Sequence, residues 1–204
     1  MGSADRIRIG AVLLAGGASR RFGSENKLLA SVEGQPMVTR VAREVLAADV
    51  DDIVVVTGAE HEGYVTALSG LLVRIVPNSK WDDGIGGSIA VGVSALPAGL
   101  DGAFIVPGDL PNLSAHVFRR LTEVFAEHNA SDVIVPVTGG GEQRNPVLWP
   151  KALFPRLAQL TGARGGKSLL DTLGEARVDV AFDDERLFAD IDTTDDYTRF
   201  ISGA

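Results

Sequence analysis

The stretch Ala11-Val-Leu-Leu-Ala-Gly-Gly-Ala-Ser-Arg-Arg-Phe-Gly-Ser-Glu-Asn-Lys27 holds the residue types needed to bind an anion. Gly16 and Gly17 break an apolar run, and Arg20, Arg21 and Lys27 follow, opposed only by Glu25. Glycine lets main-chain N–H groups close around an anion with no Cβ in the way, and guanidinium and ammonium groups supply the opposing charge. The chain as a whole carries a net charge of −8, so a local excess of base points to a specific anionic ligand. A triphosphate fits. Neither common phosphate loop is present: G-x-G-x-x-G does not occur, and G-x-x-x-x-G-K-[ST] is not completed after this run.

Carboxylates that could hold a cation lie further along. Gly102-Ala-Phe-Ile-Val-Pro-Gly-Asp109-Leu-Pro111 is an apolar run with Asp109 at its tip, Gly108 freeing the backbone and Pro111 fixing the exit. A lone aspartate there is commonly a turn or cap residue. Aimed at the first loop, it becomes a candidate ligand for Mg²⁺, which takes few carboxylates and fills its shell with phosphate oxygens. Asp190 and Asp192 share a face if their segment is extended, while Thr193-x-x-Asp196 reads as a capping box opening a last helix.

A third stretch, Pro77 to Ser88, contains Asn78, Trp81, Gly84, Gly86 and Gly87 before a helix that the pattern starts near Ser88. One reading is a glycine-rich connection with a serine N-cap. The other is a loop that a flat nucleobase approaches closely, hydrogen-bonded to main-chain groups, with Trp81 as packing.

Short apolar runs alternating with helical patterns position these residues. Strands are expected at Gly10–Leu14, Ile53–Thr57, Leu72–Val76, Ala103–Val106, Val133–Val137 and Val178–Phe182. A helix starts at Pro36 and buries Val38, Val41, Val45 and Leu46; a crossover spans His61–Leu71; further helices span Ser88–Leu96 and Ser114–His128, the last with Ser114 as N-cap. Thr138 to Trp149 reads as a β-hairpin beside the sheet. The expectation is an α/β, three-layer, Rossmann-like fold: a mostly parallel sheet, helices on both faces and a small β-hairpin extension. Ligands of such sheets sit beyond the carboxyl ends of the strands, where all three stretches fall.

With 204 residues, 45% of them hydrophobic, the chain suits one domain with a substantial core. It has no cysteine, which excludes disulfides, thiolate metal sites and cysteine nucleophiles. Its acidic balance argues against general nucleic-acid binding. No apolar run approaches the ~20 residues of a membrane span, and a soluble cytoplasmic protein is the expectation.

The first loop resembles the signature L-A-[AG]-G-x-x-x-R-x-G-x-x-K of nucleotidyltransferases that act on molybdopterin or sugar phosphates, matched by Leu14, Ala15, Gly16, Gly17, Arg21 and Gly23, with Lys27 one residue beyond the position of the signature's lysine. The later stretches resemble the same group. Asn78, Trp81, Gly84 and Ser88 match a block bordering its nucleotide pocket, Gly108-Asp109-Leu110-Pro111 its metal-binding step, and Asp190 to Tyr197 its D-[IVL]-D-T-x-x-D-Y ending, whose second aspartate helps hold the metal. The chain is thus similar to the MobA-like nucleotidyltransferases, and within them to the molybdenum cofactor cytidylyltransferases.

The resemblance implies a nucleotide-binding part at about 9–110 and an acceptor-binding part at about 111–204. It implies Arg21, Lys27 and Asp109 as catalytic residues and Asp109 and Asp192 as Mg²⁺ ligands. Leu14, Ala15, Gly16, Gly17, Arg21, Lys27, Asn78, Gly86 and Ser88 would bind the nucleotide. Asn145 stands where the group commonly has a histidine near the acceptor, and Arg164 and Lys167 would meet the acceptor's phosphate. The implied reaction is attack by molybdopterin's terminal phosphate on a nucleoside triphosphate, followed by handover to a molybdoenzyme or its chaperone. Leu14-Ala15-Gly16-Gly17 is the form of the guanylyltransferases, whereas the later motifs resemble those of the cytidine enzymes; CTP is the expected donor, with a GTP-dependent guanylyltransferase or a sugar-phosphate nucleotidyltransferase as the alternative. Alternatives from other classes are a nicotinamide-dependent oxidoreductase, for which the glycine fingerprint is missing, and a noncatalytic nucleotide or cofactor carrier. Thr161 to Ser168 nearly spells a Walker loop, but a helical pattern precedes it where a strand is required. His61, His116 and His128 have no part in this chemistry.

Overall fold

Strand β1 (Ile9–Ala15) is buried along its whole length, as an unbroken apolar run requires when both faces of a parallel sheet are covered. In the computed structural model, which describes residues 6–17, 22 and 26–202, it is the third strand from one edge of a seven-stranded sheet. A two-stranded ribbon follows, β2 (Ser31–Val32) with β3 (Gln35–Pro36), then α1 (Met37–Leu46), β4 (Asp52–Thr57), α2 (His61–Ala67) and β5 (Arg74–Pro77). The chain continues through α3 (Ile85–Ala95), β6 (Gly102–Pro107), α4 (Ala115–Glu127), β7 (Val133–Thr138) and β8 (Val147–Pro150). It ends with α5 (Phe154–Leu157), α6 (Lys167–Leu170), β9 (Arg177–Phe182) and α7 (Thr194–Ser202). The sheet order is β5-β4-β1-β6-β8-β7-β9, and every neighbouring pair is parallel except the two that involve β8.

Period two sorts the strand residues between the outer layers. Ala11, Leu13 and Ala15 join Val38, Val41 and Val45 of α1 and Val117, Leu121 and Phe125 of α4 in one core. Val12 and Leu14 join Ile89 and Val93 of α3 and Leu157, Leu169 and Leu170 in the other. The expected three-layer α/β fold with a mostly parallel sheet is what forms. No helix of the described residues is long and apolar enough to cross a membrane.

Four local expectations need correction. The run Val147 to Trp149 lies inside the sheet, not in a hairpin beside it: β8 pairs antiparallel with β6, from Gly102↔Pro150 to Ile105↔Val147, and with β7 at Ile134↔Leu148. Its three apolar residues divide between the two cores, Leu148 to one and Val147 and Trp149 to the other, so the lack of alternation signals burial on both faces. Helix α3 begins at Ile85, which puts Ser88 inside it and Gly84 at the N-cap. Ser114 occupies the N-cap of α4 without a side-chain capping bond; the Ala115 N–H donates to Glu44 Oε2 at 2.9 Å instead. Strand β5 starts at Arg74, two residues late, leaving Leu72 88% exposed.

Candidate active site

Two backbone hydrogen bonds assemble the site. Gly108 N–H donates to the Leu14 carbonyl at 3.0 Å, locking the loop after β6 to the end of β1. A Cβ on Gly108 would lie 2.9 Å from that same oxygen, so the approach needs glycine. Ile191 N–H donates to the Asp109 carbonyl at 3.1 Å and so brings Asp192 beside Asp109. Just beyond, the reciprocal Thr193–Asp196 box forms as the sequence suggests: Thr193 Oγ1 donates to Asp196 Oδ2 at 2.7 Å, and Asp196 N–H donates to Thr193 Oγ1 at 3.1 Å.

The result is a cavity of about 490 Å³ at the carboxyl ends of the strands. Leu14, Gly16, Gly17, Lys27, Ser88, Asp109 and Asp192 of the expected set line it. Lys27 Nζ donates to Asp109 Oδ2 at 2.7 Å and to Asp192 Oδ1 at 3.0 Å. Burial draws the Lys27 ammonium toward the neutral form, but the charges and hydrogen bonds of Asp109 and Asp192 outweigh it and hold the group above the ordinary lysine value. It therefore stays a cation throughout the physiological range. Arg21 lies outside the described residues.

Other members of the expected set serve the walls. Ala15 is buried in the core at the end of β1. Asn78 is spent internally: Nδ2 donates to Ser88 Oγ at 3.1 Å, and Oδ1 accepts from Lys80 N–H at 3.0 Å. A Cβ on Gly16 would sit 3.2 Å from Ser88 Oγ, so Gly16 and Ser88 pack together in the cavity wall, with Asn78 bonded to Ser88. Gly86 has a reason other than a nucleobase. Its N–H donates to the Gly162 carbonyl at 2.9 Å, and a Cβ there would come within 2.6 Å of the Thr161 carbonyl. Gly84 meets Gly162 in the same way. The glycines thus admit the 161–163 segment.

The three residues expected at the acceptor do not come together. Arg164 pairs with Asp171 at 2.7 Å on the surface and Lys167 opens α6; neither lines either cavity described here. Asn145 instead lines a second cavity of about 400 Å³, together with Leu110, Gln143, Arg144, Glu185 and Asp190. Leu110 and Asp190 flank Asp109 and Asp192, so the two cavities share a wall. Sequence reasoning missed Asp82 and Ile85, which line the first cavity, and treated Trp81 as packing although it lines the cavity too. No local pattern marks this role: Trp81 is set by its contact with Gly58, where a Cβ would lie 2.8 Å from Trp81 Cγ, and that contact depends on the fold. Of the histidines, His61 bonds Thr57 Oγ1 at 2.8 Å and lines neither cavity. Among the described residues no cluster of three or more His, Cys, Asp or Glu could hold a metal. A cation at Asp109 and Asp192 would need ligands from a substrate or water.

Residues 11–178 match the MobA-like NTP transferase domain. The purine catabolism protein PucB of Bacillus subtilis is 30% identical over 198 residues, covering 91% of this chain and 92% of PucB. The molybdenum cofactor guanylyltransferase of Burkholderia vietnamiensis is 28% identical over 182 residues, 87% of each chain. A nucleotidyl transferase from Methanothermobacter has the same fold with a TM-score of 0.83 at 26% identity, over 96% of this chain and 97% of that one. The chain also matches the bifunctional protein GlmU of Agrobacterium fabrum, of which it spans about a quarter of the length, 27%. The signature loop, the paired aspartates and a domain match over most of the sequence agree, and the chain belongs to the MobA-like NTP transferase family.

Proposed function

We propose that this protein transfers a nucleotidyl group from a nucleoside triphosphate, GTP in the favoured reading, to the terminal phosphate of a molybdopterin-type acceptor. An acceptor phosphate oxygen attacks the α-phosphorus, the α–β bridging P–O bond breaks, and pyrophosphate leaves. The observation that supports this most is Lys27 held between Asp109 and Asp192 on the wall that also carries Gly16 and Gly17. A phosphate nucleophile is already ionised near neutral pH, so no serine, cysteine or histidine needs activation, and catalysis reduces to positioning and charge neutralisation. Lys27, with Arg21 from the same loop, would offset charge developing on the leaving pyrophosphate.

Two carboxylates that share one ammonium suit a hard cation, since all their donors are oxygen. Asp109 and Asp192 would hold Mg²⁺, which supplies Lewis-acid polarisation of the phosphoryl oxygens. The second cavity, sharing a wall with the first and lined by Asn145, would receive the acceptor. Arg164 and Lys167, outside both cavities, have no part in this reading.

For the base, Leu14-Ala15-Gly16-Gly17 and the relative named as a guanylyltransferase support GTP. Asn78 and Ser88, which favour CTP by resemblance, bond each other, so their presence reflects the build of the loop. CTP stays as the second reading, supported by the Asp190–Tyr197 ending. Calorimetric titration with GTP, CTP, ATP and NADPH, each with and without Mg²⁺, tests both. Magnesium-dependent binding led by GTP is expected; NADPH binding alone would overturn the transferase reading.

A further inference from the structure

The chain has two tyrosines, neither lining a described cavity, and both fasten the segment that carries Lys27. Tyr64, on α2, is 1% exposed. Its Oη lies 2.9 Å from Asn26 Nδ2 and 3.2 Å from Asn26 Oδ1. Asn26 in turn shapes the next residues: Oδ1 accepts from Leu28 N–H at 3.1 Å, and its carbonyl accepts from Leu29 N–H at 3.0 Å and Ala30 N–H at 3.1 Å. Lys27 sits within this turn. Helix α2 presses close against it, since a Cβ on Gly63 would lie 2.7 Å from Leu29 Cδ1.

Tyr197, on α7, holds the flanks. Its ring meets Phe22 edge-on, with centroids 5.4 Å apart and planes at 80°, and its hydroxyl donates to the Ser31 carbonyl. Thr194 Oγ1 adds a donation to the Phe22 carbonyl at 3.4 Å. The domain match ends at residue 178, so α7 lies beyond it.

We propose that Tyr64 and Tyr197 are positioning residues, holding Phe22 and residues 26–31 so that Lys27 delivers its ammonium between Asp109 and Asp192. A lysine stem has many rotamers, and fixing the turn at its root limits the entropy lost when the ammonium meets phosphate. The role in catalysis rests on the reading of the first cavity as a triphosphate site; the positioning itself does not.

The test uses Tyr64→Phe, Tyr197→Phe and Tyr197→Leu in the full chain. Amide hydrogen exchange of the ligand-free protein should quicken at Leu28, Leu29 and Ala30 and stay unchanged in β1; unchanged exchange at 28–30 overturns the positioning. Affinity for GTP with Mg²⁺ should fall about tenfold in Tyr64→Phe, the size of one lost hydrogen bond, with affinity for guanosine unaltered. Equal loss for both ligands overturns the link to Lys27. In a Lys27→Met background the tyrosine substitutions should cost no further affinity for the triphosphate, whereas simple additivity would mark them as general stabilisers. Wild-type protein that binds no nucleoside triphosphate overturns the transferase reading and the catalytic role together, and the exchange data still decide the positioning. If Tyr64→Phe fails to fold, Asn26→Ala removes the same bond from the other side; because it also removes the acceptor of the Leu28 N–H, exchange is then read at Leu29 and Ala30 alone.

Discussion

Lys27 Nζ donates to Asp109 Oδ2 across 2.7 Å, joining residues 82 apart in sequence. The bond ties the loop after β1 to the tip of β6, and Asp192, 165 residues from Lys27, joins it at 3.0 Å. An ammonium so placed offsets one of the two carboxylate charges while still facing a cavity that would receive phosphate.

Replacing Asp109 should remove chemistry and spare the fold. The side chain is partly solvated, 24% exposed. Asp109→Ala is expected to lower metal-dependent pyrophosphate release about 10²–10³-fold, on the scale of losing one electrostatic stabiliser. Turnover near that of the wild type would remove Asp109 from the metal site.

The shared oxygens make Lys27 and a divalent cation competitors when no nucleotide is bound. Lys27→Met should therefore tighten Mn²⁺ binding to the nucleotide-free protein while weakening binding of GTP relative to guanosine. Mn²⁺ titration followed by electron paramagnetic resonance reads the first effect directly. Weaker Mn²⁺ binding in the variant would show that the lysine does not occupy the cation's place.

Tyr64 predicts a stability loss at high pH. Burial pushes its phenol up from 10.0 to about 12, against a smaller opposing effect of the Asn26 hydrogen bond. The unfolded chain therefore ionises first, the stabilisation is complete below pH 10.0, and it is lost as pH rises toward about 12. Wild type should lose about 2–3 kcal/mol more than Tyr64→Phe across that window, two pKa units being worth that much. Lys27 titrates in the same direction, which is why the comparison is with the phenylalanine variant. Parallel pH–stability curves from chemical denaturation would refute the buried phenol's role.

Glycines that look alike in sequence should respond differently. A Cβ on Gly86 would meet the Thr161 backbone at 2.6 Å, whereas one on Gly17 meets nothing within 4 Å. Gly86→Ala should cost about 1–3 kcal/mol of stability through overpacking. Gly17→Ala should leave thermal unfolding nearly unchanged and act, if anywhere, on triphosphate affinity. Reversed outcomes would mean that the 161–163 segment does not pack against α3 as described.

The sheet was legible because buried parallel strands need continuous apolar runs, and the loops at their ends stood out by glycine and charge. Pairing across the fold was not. Nothing local to Lys27 names Asp109 or Asp192 as its partners, because the contact depends on strand order. Asn78 matched a nucleotide-pocket block, yet its amide is used to hold Ser88; a side chain's type does not reveal which neighbour consumes its hydrogen bonds. Nothing in the sequence singles out Tyr64, and Tyr197 enters only as the last residue of the Asp190–Tyr197 match, because only the position of the hydroxyl in the fold separates an anchor from packing.

The insertion of β8 between β6 and β7 has a consequence for the chain as it is made. Residues 102–107 precede their second neighbour, residues 147–150, by about forty positions, so β6 stays an open edge until that later segment emerges. The waiting edge includes Ala103, Phe104 and Ile105, apolar and uncharged, the kind that invites pairing with another chain. Lesions that slow the docking of β8, such as substitutions at Trp149, should therefore announce themselves as self-association during synthesis or refolding, before any loss of affinity for nucleotide is seen.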